Sequence, residues 1–133
     1  MRNYDRSQEN RKISVSNDGG ITWGNIYNDK ILIEPICQAS LLRYSFSGKY
    51  KKYLMFLNPS DRKKRINMTL KLSSDYGRTW DSQFVLHAGP SAYSDLTRLN
   101  GGGIGCLFEA GINSPYEGIL FKEVKIDDFK EIK

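Results

Sequence analysis

Two octapeptides, Ser16-Asn17-Asp18-Gly19-Gly20-Ile21-Thr22-Trp23 and Ser73-Ser74-Asp75-Tyr76-Gly77-Arg78-Thr79-Trp80, obey one rule, S-x-D-x-G-x-T-W. Five fixed positions out of eight, met twice with starts 57 residues apart at Ser16 and Ser73, mark an internal repeat. A self-similar unit at such a period belongs to architectures that stack one supersecondary unit on the next. Within each octapeptide the physics is that of a stapled tight turn. The Asp carboxylate accepts from turn N–H groups, Gly supplies positive φ, and Trp packs its ring beneath the loop. A carboxylate consumed by its own turn is a poor acid or base. Ser16, Asp18, Gly20, Thr22 and Trp23, with Ser73, Asp75, Gly77, Thr79 and Trp80, are therefore read as structural.

The remainder of the chain is strand-like. Period-two alternation marks Ile13/Val15, Met68/Leu70/Leu72, Phe84 to Leu86 and Ile119 to Val124. The short apolar runs Ile31 to Ile33, Leu41-Leu42 and Tyr53 to Leu57 predict strands buried on both faces. Turn signals fall at Ser47-Gly48, Asn58-Pro59, Asp75 to Gly77, Gly89-Pro90 and Asn100 to Gly103. Helical periodicity competes only in the charged tail from Asp127 to Lys133, so the expectation is a nearly all-β, antiparallel chain.

Composition narrows function mainly by exclusion. His87 is the only histidine, and Cys37 and Cys106 form no C-x-x-C, which argues against a metal site, a Ser-His-Asp triad or a disulfide. No cofactor is expected. No segment is apolar and long enough to span a membrane, and the polar stretch from Met1 to Lys12 has no signal-peptide core. A net charge of +5 suits an anionic partner, but the run Arg62-Lys63-Lys64-Arg65 alone reads as a solvated loop. Nucleic-acid binding would rest on charge alone and is not expected.

The repeated octapeptide resembles the Asp box, or BNR repeat, of the exo-α-sialidases (neuraminidases), and further segments resemble that family in order. Arg2 followed by Arg11 and the first box is similar to the stretch bearing the second arginine of the family's triad. Glu34-Pro35-Ile36-Cys37-Gln38-Ala39-Ser40 resembles its P-x-C-Q-x-S strand. Asn58-Pro59 with Arg65-Ile66-Asn67-Met68-Thr69 resembles the stretch carrying the third arginine. Ala92-Tyr93-Ser94-Asp95-Leu96 matches the motif of the nucleophilic tyrosine, and Leu107-Phe108-Glu109 the strand whose glutamate buttresses the first arginine. The resemblance implies a six-bladed β-propeller, of which residues 1–133 are the C-terminal part, about two to three blades.

It also implies retaining hydrolysis of terminal sialic acids from glycoconjugates, with Tyr93 as nucleophile and Arg2 and Arg65 binding the substrate carboxylate. The chemistry suits those residue types. A planar guanidinium binds a carboxylate through two parallel hydrogen bonds. A neutral phenol avoids the repulsion that a carboxylate nucleophile would meet from the substrate's own carboxylate. The family's first arginine, its general acid/base aspartate and its base glutamate lie earlier than Arg2, so the set is incomplete and residues 1–133 are expected to be inactive alone. The partners implied are sialylated glycans and the remaining N-terminal blades of the same propeller. Compartment stays open, with a secreted or periplasmic parent as one expectation. The alternative reading, a non-catalytic Asp-box propeller or carbohydrate-binding protein, has no need of Arg65 and Tyr93.

Overall fold

A computed structural model describes residues 1–46, 49–80 and 82–129. Among these residues eight strands run in chain order: β1 (Asn10–Ile13), β2 (Tyr27–Ile33), β3 (Ser40–Phe46), β4 (Lys49–Pro59), β5 (Ile66–Ser73), β6 (Ser82–Arg98), β7 (Ile104–Ala110) and β8 (Gly118–Val124), followed by a 3-10 turn at Ile126–Phe129. Every pairing is antiparallel. β1 and β2 form a two-stranded sheet, and β3 to β8 form a six-stranded sheet in sequence order.

The two octapeptides occupy equivalent places, the β1–β2 turn and the β5–β6 turn. Each box thus closes an antiparallel hairpin: β1–β2 in the two-stranded sheet, β5 and the first half of β6 in the six-stranded one. The 17-residue β6 is shared between two neighbours. Its first half pairs with β5 up to Pro90, and its second half pairs with β7 from Ser91 onward. Gly89-Pro90 is therefore not the turn that composition predicts. Proline cannot donate to a ladder, so it sits where the strand changes partner, and Pro90 O instead accepts from Gly111 N at 3.1 Å. The charged tail likewise forms a 3-10 turn at Ile126–Phe129, and its residues from Lys130 lie outside the described residues, as does the Ser47-Gly48 turn.

Alternation along the strands builds two apolar layers. Met55, Leu57, Met68, Leu70, Leu96 and Phe108 belong to a main core on one face of the six-stranded sheet. On the other face Phe56 and Trp80 pack with Leu32 of β2, joining the hairpin to the sheet. The stretch Met55 to Leu57 is buried on both faces, as its continuous apolar run predicts. Ile31 and Leu41 are exposed, contrary to the same expectation, because β2 and β3 are covered on one face only.

The two boxes share their wiring. In the first, Thr22 N and Oγ1 donate to the Asp18 carboxylate (2.9 and 2.5 Å), while Gly20 N donates to Ser16 Oγ (2.7 Å). In the second, Thr79 N and Oγ1 donate to Asp75 (2.9 and 2.8 Å) and Gly77 N to Ser73 Oγ (2.7 Å). Gly20 and Gly77 both take positive φ, 94° and 82°. The tryptophans differ. Trp80 is 8% exposed, with its ring centroid 5.7 Å from that of Phe56, whereas Trp23 is 65% exposed. Both rings pack against the glycine of their own box, as expected, but Trp23 also lines an open groove with Ile26, Tyr27 and Leu41.

Candidate active site

Arg2, Arg65 and Tyr93, far apart in sequence, converge. Arg2 Nη2 lies 3.4 Å from the Tyr93 hydroxyl, and the guanidinium carbons of Arg2 and Arg65 are each 5.6 Å from the Tyr93 ring centroid. Tyr93 is 44% exposed, so its hydroxyl is accessible. Two cations this close on one ring repel each other unless an anion joins them. Among the described residues the ion pairs are Arg11–Glu34 and Arg62–Glu9, so neither Arg2 nor Arg65 is neutralised by a carboxylate.

Each of the three is held by a motif residue. The register of β6 against β7 slips between Ser91 and Ser94, a bulge that takes Tyr93 N out of the ladder; Glu109 Oε2 accepts it instead at 3.0 Å. Gln38 clamps the next residue in both directions, Nε2 to Ser94 O and Ser94 N to Oε1, each 2.9 Å. Ser40 Oγ accepts from Leu96 N at 3.1 Å. The P-x-C-Q-x-S segment is thus the brace of the tyrosine strand. Cys37 in the same segment is a buried free thiol, its pKa pushed up by desolvation against the opposing field of Arg65.

Arg65 is aimed by a second bulge, where β5 slips register on β6 between Ile66 and Met68. Asn67 adopts φ 59°, a left-handed conformation that Asn tolerates better than most residues. Its carbonyl accepts from Thr69 Oγ1 (2.7 Å) and Ser60 N (2.8 Å), so R-x-N-x-T encodes the bulge that turns Arg65 out of the sheet. Arg65 Nη2 then reaches Ile36 O at 3.3 Å. Ile36 itself takes φ 55°, a genuine outlier for a β-branched residue and a cost stored beside the site.

Arg2 is anchored from its neighbour. Asn3 N donates to Glu34 Oε1 at 2.6 Å, and Arg11 Nη1 meets Glu34 Oε2 at 3.0 Å with both side chains almost fully buried. Residues that motif reasoning left without a role complete the site: Glu34 and Arg11 as this anchor, Tyr4 hydrogen-bonded to Arg2 at 3.2 Å, and Tyr116 hydrogen-bonded to Arg65 at 2.5 Å. The phenolic oxygens of Tyr93 and Tyr4 make Arg2 hold its proton more tightly than usual. Glu34 and Arg11 carried a signal, both lying inside the quoted segments; Tyr4 and Tyr116 carried none, being two tyrosines among eight.

The box carboxylates stay out of this cluster. Hydrogen bonds from the Thr22 hydroxyl and from Thr79 N hold Asp18 and Asp75, respectively, at about 2, below the ordinary 3.8. Among the described residues no group of three His, Cys, Asp or Glu is arranged to hold a metal, and no helix is long and apolar enough to cross a membrane.

The profile of the BNR repeat-like domain matches residues 1–106. The chain belongs to the BNR-repeat sialidase family. It is 36% identical over 110 residues to a sialidase of Micromonospora viridifaciens, covering 80% of this chain and 17% of that one. It is 33% identical over 124 residues to a sialidase of Bacteroides fragilis, covering 89% and 22% respectively. Among solved structures the Hadza microbial sialidase Hz136 superposes with a TM-score of 0.79 at 30% identity, over 97% of this chain and 25% of that one. The fold is accordingly part of a sialidase β-propeller, and the chain spans about a fifth of the length of the first two relatives.

Proposed function

We propose that residues 1–133 form the C-terminal part of an exo-α-sialidase propeller and supply part of its active site for retaining hydrolysis of terminal sialic acids. The observation that carries this is the pair of guanidiniums, Arg2 and Arg65, set against one accessible tyrosine with no carboxylate partner among the described residues. A sialoside carboxylate, attached to the very carbon that is attacked, would join the two cations and bring that carbon to the phenol. Orientation of this kind converts a bimolecular encounter into a near-attack geometry.

In the proposed reaction the Tyr93 oxygen bonds to the anomeric carbon as the bond to the leaving oxygen breaks. The phenolic proton passes to a base, and the leaving oxygen takes a proton from an acid. Water then cleaves the tyrosyl intermediate, which restores the phenol and the original configuration. Among the described residues no carboxylate hydrogen-bonds the Tyr93 hydroxyl, so acid and base are assigned to blades beyond this chain. Glu109 is assigned to holding the tyrosine backbone and, once the propeller is whole, to buttressing a further arginine.

Hydrolysis of a fluorogenic sialoside tests the assignment. Residues 1–133 alone are expected to release no fluorophore above a Tyr93→Phe control. In the longer polypeptide Tyr93→Phe is expected to abolish normal turnover, and Arg65→Lys to raise KM. Wild-type kinetics in both variants would refute the site.

A further inference from the structure

We infer that Tyr116 is a positioning residue that sets the plane of the Arg65 guanidinium for carboxylate recognition, an inference that rests on the sialoside reading above. Arginine has five N–H donors. In Arg65 one Nη1–H goes to the Tyr116 hydroxyl (2.5 Å) and one Nη2–H to Ile36 O (3.3 Å). Three donors remain, enough for two parallel bonds to a carboxylate. With Tyr116 removed, a single long bond to Ile36 and the Tyr93 ring would hold the fork, and its plane would be free to turn.

The loop that presents Tyr116 is built for rigidity. The Glu117 carboxylate accepts three successive backbone N–H groups, from Ile112 (2.7 Å), Asn113 (3.0 Å) and Ser114 (2.9 Å). Tyr116 N donates to Ser114 Oγ at 3.3 Å. At the loop's root Gly111 N is tied to Pro90 O, and a Cβ on Gly111 would lie 2.1 Å from Ser114 O, so only glycine fits. Tyr116 is itself 61% exposed, which leaves core packing unable to explain its placement. What the loop delivers is the hydroxyl, brought to Arg65 across 51 residues of sequence.

Ligand-observed NMR titration of the longer polypeptide that completes the propeller, with N-acetylneuraminic acid and with its methyl ester, separates the possibilities, since it reads millimolar binding. Wild type is expected to prefer the acid. Tyr116→Phe is expected to erode that preference about tenfold, the worth of one hydrogen bond to a charged group, while leaving ester binding and the fold unchanged. Glu117→Gln, which loosens the loop while keeping the phenol, should move it the same way by less. The Arg65 side-chain nitrogen resonances should shift and exchange faster in Tyr116→Phe without any sugar. A wild type that does not distinguish acid from ester overturns the sialoside reading and this inference with it. A wild type that does, beside a Tyr116→Phe that does so equally, overturns this inference alone.

Discussion

The buried Arg11–Glu34 pair links stability to the site, and Glu34→Gln is the perturbation that exposes the link. Glu34 accepts three times: from Arg11 Nη1 (3.0 Å), Asn3 N (2.6 Å) and Cys37 N (3.3 Å). Arg11 has far fewer options. Its Nε and Nη2 are buried with no hydrogen-bond partner among the described residues, its guanidinium lies 5.5 Å from the Phe56 ring centroid, and burial already lowers its pKa. Removing the Glu34 charge therefore strands a buried cation, for which a loss of about 3–5 kcal/mol is expected. At about 4 °C per kcal/mol for a chain of this size, that is a fall in Tm of about 12–20 °C. Arg11→Met should cost less, about 2 kcal/mol, because Glu34 keeps its two backbone donors. The double variant Arg11→Met/Glu34→Leu should recover much of the loss, as apolar replacements of buried pairs do. Urea unfolding followed by circular dichroism measures all three. A Glu34→Gln loss under about 1 kcal/mol, or a double variant worse than either single one, would refute the argument that the pair matters through uncompensated charge.

Two further outcomes follow from the same physics. Lys71 is buried beside Arg11, desolvation lowering its pKa from 10.5 to about 8, and its Nζ donates to Ser60 Oγ at 2.7 Å. Because the folded pKa is depressed, the folded state bears a cost that is absent at high pH and sets in as pH falls from about 10.5 through about 8; Lys71→Met should thus stabilise the chain at pH 7 by about 1–3 kcal/mol, and urea melts showing no gain would contradict this. The boxes behave oppositely: Asp18 and Asp75 contribute stability that is fully present above pH 4 and is lost as pH falls toward about 2, so Asp75→Asn should flatten acid unfolding in that window, and an unchanged acid limb would count against it.

How much of the site was legible follows from how far each signal reaches along the chain. The boxes are read directly, because the Ser, Asp, Gly and Thr hydrogen bonds that close their turns span at most four residues, although the Trp80 indole reaches Asp29. The Asn67 bulge is nearly as local, and R-x-N-x-T encodes it. Gln38 and Ser94, 56 residues apart, show no relation until the strands are placed, and Tyr116 meets Arg65 only through a loop whose sequence announces nothing but turns. Gly89-Pro90 misled for the opposite reason. Its local signal is a turn signal, and only the sheet shows that the chain continues and changes partner there.

Repeat and all-β class are legible along the chain, since stapled turns and alternation are properties of neighbouring residues, while Arg2, Arg65 and Tyr93 are singled out by the family resemblance. Which arginines lack a carboxylate partner among the described residues, which tryptophan is buried and what braces Tyr93 emerge only once the strands are packed. Those depend on burial and on hydrogen bonds between strands distant in sequence, where free energy is set by the exclusion of water and by the geometry of approach.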